Sequence, residues 1–141
     1  MTVVVDASVA IKFVVKENDH AAAIALLRGR ADELASPDFL LIEVANILWK
    51  KARIGEIDGD YVPRGLGDIK ALFGQFIPSS DLVDRALAFA TALDHPVYDC
   101  LYLACAERLD ANLITADGRL LKAVAATRTE RNVVALSGVA T

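Results

Sequence analysis

Four carboxylates stand in surroundings that argue against ordinary solvated acids: Asp6, Glu43, Asp99 and Asp117. Asp6 ends "TVVVD", three valines followed by the acid with no polar transition. Asp117 ends "NLITAD", with Thr115 two residues earlier on the same side of the run. Glu43 lies three residues after Leu40 and four before Ile47, so it falls on the helical stripe of Leu40, Val44, Ile47 and Leu48. Asn46 is the next polar residue on that edge. Asp99 opens "YDCLYLACAERL" between nearly apolar flanks. Each acid also has a purely structural reading. An Asp at a strand end or in a first helical turn caps the helix and meets its dipole. A Glu at the margin of a stripe can reach water. Read together, the four are acids at apolar element ends, where clustered carboxylates repel unless a cation joins them. A set with oxygen donors and no His or Cys points to Mg²⁺ or Mn²⁺, and to phosphate chemistry.

The elements that must position these acids alternate between short β-like runs and helical patterns, which predicts an α/β fold with a central parallel sheet flanked by helices. Strands are expected at 2–5, 33–35, 75–78, 112–115 and 132–136. Helices are expected at about 19–28, 36–53, 79–95, 98–109 and 118–126. Ser36 would cap the second of these, with Pro37 at its first position. A poorer helical segment spans about 58–74, interrupted by Pro63, Gly65 and Gly67. The count is about five strands and six or seven helices. In an open parallel sheet, ligands bind outside the carboxyl ends of the strands. If the first and fourth strands are neighbours, Asp6 and Asp117 meet across one crevice.

The 141 residues suit one domain, 1–141, with one sizeable core, and the 55% apolar content excludes a disordered chain. No apolar run approaches the roughly 20 residues of a membrane span, and the start of the chain runs directly into a strand, so neither membrane nor export signal is expected. Cys100 and Cys105 form no zinc pattern and read as buried thiols in a reducing cytoplasm. The net charge of −4 supplies no global basic field for nucleic acid, so any such role needs local cations, metal ions or both.

The segments "VVVDASVAIKF" (3–13), "SPDFLLIEVANILWK" (36–50), "YDCLYLACAERLDANLITADGRL" (98–120) and the closing "NVVAL" together resemble a PIN domain, and within that family the VapC ribonuclease toxins of prokaryotic toxin–antitoxin operons. The resemblance covers essentially the whole chain. One departure is "YVPRGLGD" (61–68), which breaks a region usually more helical. The resemblance carries the family's acidic quartet onto Asp6, Glu43, Asp99 and Asp117. Ser8, Asn46 and Thr115 match polar positions beside the quartet, with helix capping as their structural alternative. It implies a metal-dependent endoribonuclease that hydrolyses RNA to leave a 5′-phosphate and a 3′-hydroxyl. Mg²⁺ or Mn²⁺ would be held directly by Asp6 and Asp99, and directly or through water by Glu43 and Asp117. The implied partners are a small VapB-like antitoxin and a second copy of the chain as a homodimer.

An RNA backbone also needs cations. Arg119 and Lys122 follow Asp117, Lys12 follows Asp6, and Lys50, Lys51 and Arg53 end the Glu43 helix. Arg119 is the foremost candidate by proximity, followed by Lys12 and Lys50, with ordinary solvated surface as the other reading. His20 and His95 are expected at the surface, and Trp49 in the core or a dimer interface. A haloacid-dehalogenase phosphatase would need a second Asp where Ser8 stands, and a phospho-receiver would need a second acid beside the first. A PIN-like RNA- or protein-binding module without catalysis is the non-enzymatic alternative.

Overall fold

The computed structural model describes residues 1–30 and 33–139. Five parallel strands form one sheet in the order β3-β2-β1-β4-β5: β1 is Val3–Val5, β2 Leu34–Pro37, β3 Gln75–Ile77, β4 Asn112–Thr115 and β5 Val133–Ala135. Parallel sheets are covered on both faces, so their central strands read as continuous apolar runs. β1 fits this, being three buried valines; the edge strands β3 and β5 are less buried. Val5 pairs with Ile114, so the residues after them, Asp6 and Thr115, emerge side by side.

Seven α-helices accompany the sheet among the described residues: α1 Ala7–Val14, α2 His20–Arg30, α3 Phe39–Arg53, α4 Tyr61–Leu72, α5 Val83–Leu93, α6 Val97–Arg108 and α7 Gly118–Val124. α1 is an element the sequence expectations omit. It is only eight residues long, with Ser8 and Lys12 as its polar residues, and it follows β1 after the single residue Asp6. α6 has no single apolar face. Cys100 through Ala106 are buried without interruption, because the helix packs against α5 and against β1, β2 and β4.

Two local expectations are corrected. Ser36 and Pro37 do not start α3; they finish β2, with Pro37 in register with Ile77 and the buried Ser36 hydroxyl donating to the Val5 carbonyl at 3.3 Å. The start of α3 is served by a residue distant in sequence: Ser79 Oγ accepts the Phe39 N–H at 3.0 Å and donates to Asp38 Oδ1 at 2.7 Å. "YVPRGLGD" is not a break, since α4 runs through it. Pro63 is the third residue of that helix, where an N–H has no intrahelical partner to lose. Gly65 is buried, and a Cβ there would lie 3.1 Å from the Tyr61 ring, so its bareness leaves room for that ring. Tyr61 in turn donates its hydroxyl to the Val14 carbonyl at 2.8 Å.

Candidate active site

At the carboxyl ends of β1 and β4 lies a crevice of about 220 Å³, lined by Asp6, Ser8, Glu43, Ile47, Asp99, Tyr102, Asp117 and Arg119, with Ala7 between them. Four different elements deliver the acids. A depression of about 280 Å³ beside the start of β5, around Arg85, Glu107, Arg128 and Arg131, collects none of them.

Asp6 leaves β1 in extended conformation and caps α1, its Oδ1 accepting the Val9 N–H at 3.3 Å. Ser8 Oγ donates to the same oxygen at 2.5 Å, and Thr115 Oγ1 donates to Oδ2. Both hydroxyls also accept main-chain N–H groups, Ser8 from Ala116 at 2.9 Å and Thr115 from Asp117 at 3.0 Å. A single network therefore joins the start of α1 to the turn after β4. The capping and functional readings of Asp6 are not exclusive, for the carboxylate that caps α1 also lines the crevice. Asp6 is 5% exposed, and burial pushes its carboxyl from 3.8 up to about 6. The bonds from Ser8, Thr115 and Val9 pull it back, and the charge of Asp99 adds to the rise.

Asp117 caps α7, its Oδ1 accepting the Arg119 N–H at 2.9 Å. Glu43 reaches the crevice from α3, and its Oε1 accepts the hydroxyl of the buried Tyr102. Burial raises the Glu43 carboxyl above its ordinary value; the Tyr102 bond opposes this, and the charges of Asp99, Asp6 and Asp117 reinforce it. Burial likewise holds the Tyr102 phenol well above 10, so it remains a donor. Asp99 sits in the first turn of α6, with Oδ2 2.6 Å from His95 Nε2.

Among the described residues, no group of three or more His, Cys, Asp or Glu side chains is drawn tightly enough together to hold a metal ion by itself. The acids line an open crevice, not a closed cage. That arrangement suits a hard cation that keeps several waters and takes only one or two carboxylates directly. The charge pattern fits as well. Four acids face one space whose only lining cation among the described residues is Arg119, and the buried Asp6 resists ionisation there.

The other predicted site residues divide. Ser8 and Thr115 are brought to Asp6, while Asn46 is exposed on α3 and lines nothing in the crevice; Ile47 does so instead. Lys12 is drawn into an ion pair with Glu17 at 3.1 Å, its side chain only 11% exposed, and does not line the crevice. Lys51 pairs with Glu17 and Glu56, Lys50 is exposed away from the crevice, and Arg119 lines it. Trp49 is not in the core: it is 53% exposed, with the Arg53 guanidinium over its ring. Cys100 and Cys105 are buried and unpaired, their thiols pushed by burial to about 11 and about 12. Neither histidine is a free surface group. His20 Nδ1 lies 2.6 Å from the Lys12 carbonyl, and His95 is the partner of Asp99. Sequence reasoning also missed Tyr102. The spacing carried a signal for both, since Tyr102 is three residues after Asp99 and His95 four before it.

Comparison with known proteins agrees with this fold. The sequence pattern of the PIN domain matches residues 3–126. Ribonuclease VapC3 of Pyrobaculum aerophilum is 37% identical over 123 residues, covering 85% of this chain and 92% of its own. The crystal structure of PAE2754 from Pyrobaculum aerophilum superposes with a TM-score of 0.73 at 26% identity, over 97% of this chain and 92% of that one. VapC20 of Mycobacterium tuberculosis, described as a toxin cleaving the sarcin–ricin loop, shares the fold with a TM-score of 0.64 at 16% identity, over 83% and 91% of the two chains.

Proposed function

Because the chain belongs to the PIN-domain family, we propose that it is a divalent-metal-dependent endoribonuclease, the toxin of a VapBC-type toxin–antitoxin pair, acting in the cytoplasm as one PIN domain over residues 1–141. The observation that carries this reading is the convergence of Asp6, Glu43, Asp99 and Asp117 on one crevice at the carboxyl edge of the sheet. The similarity to Ribonuclease VapC3 supports RNA as substrate.

Asp6 and Asp99 would hold Mg²⁺ or Mn²⁺ directly, and Glu43 and Asp117 directly or through water. When bound, the ion supplies Lewis acidity for water activation and for the charge that develops on the phosphate. The remaining work falls to the chain itself. Ser8 and Thr115 hold the Asp6 carboxylate with both oxygens engaged. Tyr102 keeps Glu43 turned toward α6. Arg119, exposed at the rim, offers its guanidinium to an RNA phosphate.

An acidic crevice also accepts a basic side chain, so the antitoxin is proposed to inhibit by inserting an Arg or Lys near the quartet. The exposed Ile42 and Trp49 of α3 and Val83 and Leu87 of α5 support a homodimer through apolar helix faces. The reading is tested by incubating purified protein with RNA in Mg²⁺ or Mn²⁺ and in EDTA, beside Asp6→Ala, and by mapping the 5′ ends produced. Metal-dependent cleavage lost in the variant is the expected result. RNA left intact by the folded, metal-loaded wild type would favour the non-catalytic binding module instead.

A further inference from the structure

We propose that His95 is a positioning residue, holding the Asp99 carboxylate in the orientation in which Asp99 meets the divalent ion. This rests on the reading of Asp99 as a metal ligand. His95 stands in the short connection between α5 and α6, which is fixed on both sides. Asp94 ends α5 in the left-handed conformation (φ 52°, ψ 52°), the His95 N–H donates to the Ala90 carbonyl at 3.1 Å, and Pro96 launches α6 from φ −55°, ψ 143°. The ring itself is packed, with the side chain only 9% exposed. A buried ring on a fixed backbone has little freedom left to lose, so its hydrogen bond orients its partner and not itself.

That bond runs from Nε2 to Asp99 Oδ2 at 2.6 Å. A carboxylate only accepts, so Nε2 carries the hydrogen. Asp99 Oδ1 has no hydrogen-bond partner among the described residues, and Asp99 lines the crevice. One oxygen is therefore anchored and the other is left to the crevice, the arrangement that partners of metal-binding groups produce elsewhere. The other three acids are each held by a donor as well: Asp6 by Ser8, Thr115 and Val9, Glu43 by Tyr102, and Asp117 by Arg119. His95 fills this place for Asp99. A capping role does not account for it, since α6 has no side-chain cap bond at its start. The contact of the Cys100 thiol with this loop is to the His95 carbonyl and survives a change of side chain.

The test uses the metal-free protein with Mn²⁺ as probe, followed by electron paramagnetic resonance, with melting curves in EDTA for each variant. His95→Leu and His95→Asn both remove the donor from Oδ2, the first by chemistry and the second by reach. His95→Gln restores a donor on a longer side chain. His95→Leu and His95→Asn should bind Mn²⁺ roughly 10- to 100-fold more weakly, with His95→Gln recovering much of the loss. The metal concentration for half-maximal RNA cleavage should rise in parallel, while KM for RNA at saturating Mn²⁺ stays unchanged. In an Asp99→Asn background, His95→Leu should add nothing further. Wild-type Mn²⁺ affinity in folded His95→Leu or His95→Asn overturns the proposal, as does a loss of affinity in His95→Gln equal to theirs. If instead Asp99→Asn binds Mn²⁺ as wild type does, the reading of Asp99 as a ligand fails, whatever the His95 variants do.

Discussion

Asp6 and Asp117 leave neighbouring strands and are held by hydroxyls and main-chain N–H groups, whereas Glu43 and Asp99 stand on α3 and α6 and are held by two ring-bearing side chains, Tyr102 and His95. The strand-borne half inherits its geometry from sheet register: once Val5 pairs with Ile114, Asp6 and Thr115 are adjacent. The helix-borne half depends on how two helices and a loop pack. The burden of burial is also unequal. Asp6 is almost fully enclosed, with three donors facing it, while the Asp99 side chain is 24% exposed and has His95 as its one side-chain partner among the described residues. The crevice keeps its most enclosed acid where neighbouring strands bring hydroxyls and a main-chain N–H to it, and a more exposed acid where one side chain holds it.

The sharpest way to break this comparison is to remove the enclosed acid. On the proposed ligation, Asp6→Ala should lower RNA cleavage by at least roughly a hundredfold, because losing a metal ligand would forfeit several kcal/mol of transition-state stabilisation. Single-turnover cleavage at saturating Mg²⁺ measures it, and near-wild-type rates would remove Asp6 from the ligand set.

A second prediction concerns the metal-free protein and pH. The Asp6 carboxyl is raised in the folded state, so folding favours its protonated form. Its contribution is fully present below its ordinary value near 3.8 and is lost as pH rises through about 6. The rise from 3.8 to about 6 corresponds to roughly 3 kcal/mol. Asp6→Asn keeps the cap and cannot ionise. Denaturant titrations in EDTA should therefore show the variant gaining on wild type between pH 4 and pH 7, by up to about that amount. A difference between the two proteins that does not change with pH contradicts the enclosure of Asp6. On the proposed ligation, a bound ion would reverse the sign in part, since it would take the deprotonated carboxylate, and its affinity should climb through the same range.

Thr115→Val preserves shape but strands both Asp6 Oδ2 and the Asp117 N–H. It should cost about 1–3 kcal/mol in the metal-free protein, read as a lower denaturation midpoint at unchanged slope. It should also move the onset of metal binding to higher pH, because the lost bond was lowering the Asp6 carboxyl. Tyr102→Phe removes the donor to the half-buried Glu43, and a smaller loss of about 0.5–1.5 kcal/mol is expected. A larger loss than in Thr115→Val would show that the donor to the helix-borne acid contributes more than the donor to the strand-borne one. At the low end, Asn46→Ala should change stability by no more than about 0.5 kcal/mol and leave cleavage untouched, since its side chain is exposed outside the crevice.

The amino-acid sequence by itself determined what depends on composition and short-range period. The parallel α/β class follows from apolar runs alternating with helical stripes, and all five strands lie within a few residues of their expected places. The four acids were legible because each contradicts its immediate neighbours, a local signal that needs no fold. Elements without a local contrast were not legible in this way. α1 is only eight residues long and follows β1 after the single residue Asp6, and α4 runs through the Pro and two Gly of a segment that reads as interrupted. Only the tertiary structure decided who holds each acid. The Ser79 that serves α3, the Tyr102 that holds Glu43 and the Thr115 that holds Asp6 lie 40, 59 and 109 residues from their partners. Such pairings are set by strand order and helix packing, which no local window of sequence contains. The same packing withdrew Lys12 into an ion pair and left Asn46 and Trp49 in solvent, because helix period alone cannot say which edge of a helix a neighbouring element will cover.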